Sequence, residues 1–265
     1  MTDSRPAPST APRHEATPAL TGRPIRVLML WALSLLVLAT LATVAQDQLG
    51  VPGELLSLVM LAPALACAVV LVRPSWMPEP WRAAAVPAVL RASLLAVAAT
   101  AVFLAVLAIL TGRAPSWPPA TSTAPAVLLL AQALGALAEE IGWRGLVQRC
   151  GEQLARPAVV SAIAGFVFGA THLGYWGLGV LPVLTFAVTA MLMSLTITTI
   201  YVGSFWQRML PATLVHLGVN LAGASLAPPE EPLMTSPAAL AAAAAMLAAA
   251  LAGRAALSLL SQRAR

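Results

Sequence analysis

Three short groups of polar residues stand inside otherwise apolar stretches: Glu139 and Glu140 with Arg144, Phe168 with His172, and His216 with Asn220. Carboxylates, imidazoles and a carboxamide are the side chains that move protons, activate water and hold an oxyanion. Left unpaired at membrane depth, each ionised group costs a few kcal/mol, so such residues are functional candidates by default. Helical geometry separates the first three. Glu140 and Arg144 are i and i+4, with the acid N-terminal to the base, the better order for an ion pair. Glu139 lies about 100° round the helix and has no base in reach along it. The expectation is that Arg144 neutralises Glu140 and leaves Glu139 free to react. His216 and Asn220, also i and i+4, project from one face. Phe168 precedes His172 by one turn and packs against its ring.

These residues need helices that span a membrane. The chain has 265 residues, of which 59% are hydrophobic and 9% charged, with a mean hydropathy of +0.84. A soluble domain carries about 25% charged residues, so the composition is that of an integral membrane protein. All fifteen basic residues are arginine, scattered singly between apolar segments. The net charge of +5 is therefore a set of topology markers and not a nucleic-acid footprint. Cys67 and Cys150 show no CxxC or ligand spacing and read as inert buried thiols.

Eight apolar runs, at about 27–45, 55–72, 88–110, 125–148, 157–175, 180–202, 209–225 and 237–260, each approach the length a bilayer needs. The fold class expected is all-α, a bundle of about eight transmembrane helices around an intramembrane polar site. Residues 1–22, rich in Pro, Ser, Thr and Ala and including His14, read as a disordered cytoplasmic tail. Residues 23–120 hold three helices, 121–226 a four-helix core with all three motifs, and 227–265 a Pro-rich loop, an Ala-rich helix and a basic tail. A signal peptide is the competing reading of the first run, but its length favours an uncleaved span. With the N-terminus inside, thirteen arginines fall in inside segments and only Arg113 in an outside loop, Arg144 left uncounted. That bias puts both termini in the cytoplasm. Glu139 and His172 are 33 residues apart, so they lie level if the hairpin turns near 154–157, where Pro157 stands.

The bland reading must be weighed. A single membrane histidine is more often an interhelical hydrogen-bonding residue than a catalyst, and an isolated Glu–Arg pair is often structural. Here nearly all ionisable groups at membrane depth fall into three motifs on three helices, which chance does not explain.

Together, Glu139-Glu140-xxx-Arg144, Phe168-xxx-His172 and His216-xxx-Asn220 resemble the three signature motifs of the CPBP intramembrane proteases. That family comprises the type II CAAX prenyl endopeptidases and their abortive-infection-like bacterial relatives. The resemblance implies a glutamate-dependent peptidase in which Glu139 and His172 activate water. His216 and Asn220 would bind the oxyanion, and Glu140, Arg144 and Phe168 would support the site. It also implies a cytoplasm-facing cavity and a membrane-associated peptide or protein as substrate.

Two questions stay open at this stage. If a metal such as zinc takes part, Glu139, His172 and His216 would be its ligands; the reading preferred here assigns no metal and uses water alone. The alternative to a protease is a transporter or scaffold with a buried polar network. Transporters usually show two related halves, and this chain has no internal repeat.

Overall fold

The computed structural model describes residues 22–53, 55–116, 124–227 and 232–263. Among these the secondary structure is helical, without a strand. The helices are α1 Gly22–Leu49, α2 Ala62–Val70, α3 Val86–Thr111, α4 Pro125–Glu140, α5 Gln148–Gly151, α6 Pro157–Ala170, α7 Val180–Ile200, α8 Phe205–Leu226 and α9 Pro237–Arg263. Residues 1–21 of the expected N-terminal tail (1–22, with His14), part of the Pro-rich loop before α4 and residues 228–231 before α9 lie outside the described residues, while Gly22 is the first residue of α1.

Among the described residues six helical stretches are long and apolar enough to cross a membrane, so the protein is a multi-pass membrane protein. The second and fifth expected spans are shorter than a crossing, Leu58–Val70 and Pro157–Ala170. Local chemistry explains both. Pro74 forces the preceding Arg73 out of the helical region, to φ −123° and ψ 66°, so α2 cannot run on. Past α6, His172 takes a non-helical ψ of 80° and a 3-10 turn, Leu173–Leu178, follows. That turn ends at Gly179, whose φ of 100° a side chain would oppose.

The rod from Pro125 to Gly151, α7 and α8 are the most buried of the long helices, whereas α1, α3 and α9 form the rim. Rim residues such as Leu33, Leu36, Leu94 and Ile109 point outward, an apolar belt that only lipid would cover. Inside, α6 and α7 are clasped by hydroxyls. Ser194 donates to the Ser161 carbonyl at 2.8 Å, and Thr198 donates to Ser161 Oγ at 2.6 Å. Such bonds substitute for the hydrophobic drive that lipid removes.

One end of the bundle is tied by polar contacts. Glu152, just after α5, accepts from Gln148 Nε2 at 2.9 Å, Tyr201 Oη at 3.0 Å and Trp81 Nε1 at 3.1 Å. Burial, and behind it the Glu152 carboxylate, pushes the Tyr201 phenol above its ordinary value, so it remains a neutral donor. The Arg208 guanidinium lies 4.0 Å from the Trp81 ring centre and 4.5 Å from that of Tyr201, and Gln207 holds both backbone groups of Ala84. Arg149 donates to the carbonyls of Pro78 and Glu79, and Arg254 to that of Thr199. The opposite end, where Arg113 donates to the Leu226 carbonyl, holds that arginine alone among the described ones.

The rod formed by α4 and α5 is continuous, Pro125–Gly151, because a π-wound segment, Ile141–Val147, joins them. The hairpin therefore turns at 152–156, near the position the spacing predicts. A Cβ on Gly142 would sit 2.4 Å from Pro63 Cβ and 3.0 Å from the Pro63 backbone, so α2 reaches the rod only because this residue has no side chain. Gly142→Ala should lower stability by about 1–3 kcal/mol through overpacking. Gly177→Ala, facing open space, should leave the detergent melting temperature nearly unchanged; equal melting of the two variants would contradict this packing.

Candidate active site

Helix α4 ends on Glu139 and Glu140, and the π-wound segment carries Trp143 and Arg144 inward behind them. All four are buried, Glu140 at 0% exposure and Arg144 at 2%. Widened turns of this kind recur at functional sites because they re-aim side chains without breaking the helix. Arg144 Nη1 lies 3.2 Å from Glu140 Oε1, the expected i, i+4 pair. The contact is coulombic and not aligned, since none of the guanidinium nitrogens makes a hydrogen bond within the described residues. The Phe168 ring lies 5.8 Å from the guanidinium carbon and adds a cation–π contact.

Glu139 is not free, as its own helix suggested. His216, from the middle of α8, inserts between the two carboxylates, with Nδ1 2.7 Å from Glu140 Oε1 and Nε2 3.3 Å from Glu139 Oε2. Spacing along one helix cannot show a partner on another, so this bridge was invisible in the motif. Charge balance gives it meaning. Two buried carboxylates and one guanidinium leave one negative charge, which is costly in a low-dielectric interior. A single proton, on His216 or Glu139, cancels it.

His172 sits at the exit of α6 and not within a helix. Its Nδ1 is 2.8 Å from the Phe168 carbonyl oxygen. A carbonyl only accepts, so Nδ1 carries the hydrogen and Nε2 of the neutral ring presents a lone pair. His172 makes no hydrogen bond or ion pair with Glu139; the structure joins Glu139 to His216 instead. Phe168 is the spacer, its ring 4.6 Å from that of His172, 5.9 Å from that of His216 and 5.5 Å from that of Trp143. Trp31 of α1 backs Trp143 edge-on at 5.0 Å and donates to the Pro63 carbonyl at 3.1 Å. These tryptophans carried no motif, so sequence reading passed over them.

Asn220, one turn beyond His216 on α8, borders a cavity of about 280 Å³ with Tyr175, whose ring stacks 6.1 Å from that of His172. The cavity lies towards the Arg113 end of the bundle.

The three side chains nominated for a metal do not converge. Among the described residues no group of three His, Cys, Asp or Glu side chains is arranged to hold a metal ion. His216 spends both nitrogens on carboxylates, and His172 turns Nδ1 back to its own helix.

Residues 120–222 match the family model described as type II CAAX prenyl endopeptidase Rce1-like. That segment belongs to the CAAX-protease family. The match takes in all seven motif residues and ends before the last turn of α8, with α1–α3 and α9 outside it. No curated protein matches the chain. The family supports protease activity in an intramembrane setting and a membrane-associated substrate.

Removing one partner of a buried pair strands the other at about 3–5 kcal/mol. Glu140→Ala should therefore destabilise the protein by that order, while Glu140→Asp retains most of the stability. Thermal melts of the two variants in one detergent check this, and coincident curves would remove the ion-pair argument.

Proposed function

We propose that this protein is an intramembrane endopeptidase in which Glu139 and His172 activate a water and His216 and Asn220 receive the oxyanion. The observation that carries this reading is the His216 bridge between Glu139 and Glu140, buried within a segment that matches a protease family. With His216 protonated, Glu139 is an ionised base while Nε2–H is a donor. Both groups are needed at the same moment.

Water lies between the Glu139 carboxylate and the Nε2 lone pair of His172. Its oxygen attacks the peptide carbonyl carbon as its proton passes to Glu139. Once protonated, Glu139 is a poorer acceptor for His216 Nε2–H, so that hydrogen turns to the developing oxyanion, joined by the Asn220 carboxamide. Donors held in place for that charge commonly contribute roughly 2.7–4 kcal/mol each. Collapse of the intermediate breaks the C–N bond, and Glu139 returns the proton to the leaving amine. Glu140 holds the other nitrogen of His216, and Arg144 holds Glu140.

The substrate proposed is a membrane-associated peptide or protein, cut by a multi-pass enzyme with both termini in the cytoplasm. A reporter fused ahead of Met1 should be active only inside; activity outside would invert the topology.

The deciding experiment incubates detergent-purified wild type and Glu139→Gln with a quenched-peptide library, with and without phenanthroline. The substitution keeps size and hydrogen bonding but removes the base. Cleavage should fall at least about 100-fold in the variant, the scale of a lost general base, and should survive the chelator. Loss on chelation, restored by zinc, would reject the water-only mechanism. Equal cleavage by both proteins would reject Glu139 as the base.

A further inference from the structure

To activate water, the His172 ring must present Nε2 in one orientation. Its hydrogen bond to the Phe168 carbonyl places Nδ1. A single hydrogen bond fixes a distance and a direction, however, and leaves the ring free to turn about it. The backbone adds little, because His172 has left α6 and the Leu173–Leu178 turn that follows buries none of its residues. The plane of the imidazole must be set by side chains.

Three aromatic rings surround it. Phe168 meets the imidazole edge-on at 4.6 Å with 73° between the planes, and Phe186 of α7 does so at 4.8 Å and 64°. Tyr175 lies nearly parallel to it, 6.1 Å away at 14°. Tyr175 in turn meets Phe186 edge-on at 4.8 Å, which closes the ring of neighbours. Aromatic pairs at these separations are attractive and directional, so each ring resists rotation of the next. Glycine brings Phe186 into place. A Cβ on Gly169 would sit 2.5 Å from Ala187 Cα, and one on Gly165 would sit 2.8 Å from the Ala190 carbonyl oxygen. The last turn of α6 thus lies directly on the α7 backbone at the residue after Phe186. Tyr175 is folded back by its own N–H, which donates to the His172 carbonyl at 3.0 Å. Neither Tyr175 nor Phe186 belongs to the three motifs.

Resting on the protease reading, we propose that Tyr175 and Phe186 are positioning residues for His172, whose rings close an aromatic box that fixes the imidazole plane and keeps Nε2 aimed at the water. The Tyr175 ring does this by shape and stacking, and its hydroxyl takes no part. Neither side chain touches the reacting atoms or exchanges a proton. Their effect therefore falls on the chemical step, where misplacing a reacting group by about 1 Å costs up to about 100-fold.

The first readout needs no catalysis. The full chain has three histidines, so NMR of detergent-purified protein, isotope-labelled at the histidine ring nitrogens, resolves each, and His172→Gln assigns the signals of His172. At a pH where that ring is neutral, the wild type should show one protonated and one bare nitrogen, with the hydrogen on Nδ1. Tyr175→Phe should keep this pattern. Tyr175→Leu and Phe186→Leu should average the two nitrogens as the ring turns. Phe186 is buried, so if Phe186→Leu does not fold, Tyr175→Leu, on the turn, decides alone. A wild-type pattern in a folded leucine variant, or its loss in Tyr175→Phe, overturns the box.

The second readout is turnover of a library peptide. Tyr175→Leu should lower kcat and kcat/KM together, at least about 10-fold, and Tyr175→Phe should restore both. A rise in KM alone would make Tyr175 a substrate contact and overturn the positioning role, as would an unchanged kcat beside a lost imidazole pattern. If wild type cleaves no library peptide while the imidazole patterns hold, the protease reading fails and the box stands as the device that orients His172. If cleavage depends on Glu139 and Tyr175→Leu matches wild type in both readouts, the box fails and the protease reading stands.

Discussion

Two adjacent glutamates in the interior of a membrane bundle form the constraint on which the rest of this structure depends. Neither can remain ionised there without a partner, because desolvating a carboxylate costs several kcal/mol even after relaxation. Arg144 satisfies one and His216 the other, while His216 also reaches back to the first. That demand fixes the approach of α8 to the end of α4. It also explains the apolar shell of Trp143 and Phe168, which keeps the local dielectric low enough for the balance to matter.

A buried pair of opposite charges is poor evidence for stability, since hydrophobic replacements often do as well. The arrangement makes better sense as preorganisation. In the proposed mechanism a proton shared between Glu139 and His216 would link two roles that otherwise compete. An ionised Glu139 would accept a proton only while His216 carries one, and protonating Glu139 would free the imidazolium hydrogen for a new acceptor. Separated carboxylate and imidazole groups, each with its own partner, would lack this hand-over.

Much of this was legible in the sequence, for reasons tied to particular residues. The Glu140–Arg144 pair follows from i, i+4 geometry, and it survives the π-wound turn because the guanidinium is long enough to absorb the change in pitch. The turn at 152–156 follows from Pro157, and the membrane setting from composition. What was missed depends on contacts between helices. His216 pairs with carboxylates 76 positions away, and no periodicity reports that. Helix length was overestimated at α2 and α6 because hydropathy does not register backbone exits: Leu71 and Val72 are as apolar as the helix before them, yet Pro74 has already ended it. The same blindness placed His172 mid-helix, although the glycines that follow mark an exit.

That exit bears on how the two ends of the bundle divide their work. At the Glu152 end, one carboxylate collects donors from the loop before α3, from the rod and from the end of α7. Moving any of these helices there would break several polar contacts at once. At the Arg113 end, α6 has already stopped, and its chain continues through Leu173–Leu178, a turn that buries none of its residues. The His172 ring, just ahead of this turn, is held by its hydrogen bond to the Phe168 carbonyl of α6 and by edge contacts with the Phe168 and Phe186 rings. Glu139, Glu140, Arg144 and His216 are therefore carried by the rod and by α8, whose ends are locked, while His172 and Tyr175 belong to a segment with few such ties. Local stability tracks the density of buried contacts. For the proposed hydrolysis, a rigid charge centre beside a less constrained histidine would keep the proposed base and oxyanion donors fixed, and the part that would yield to an incoming peptide is the part that costs least to move.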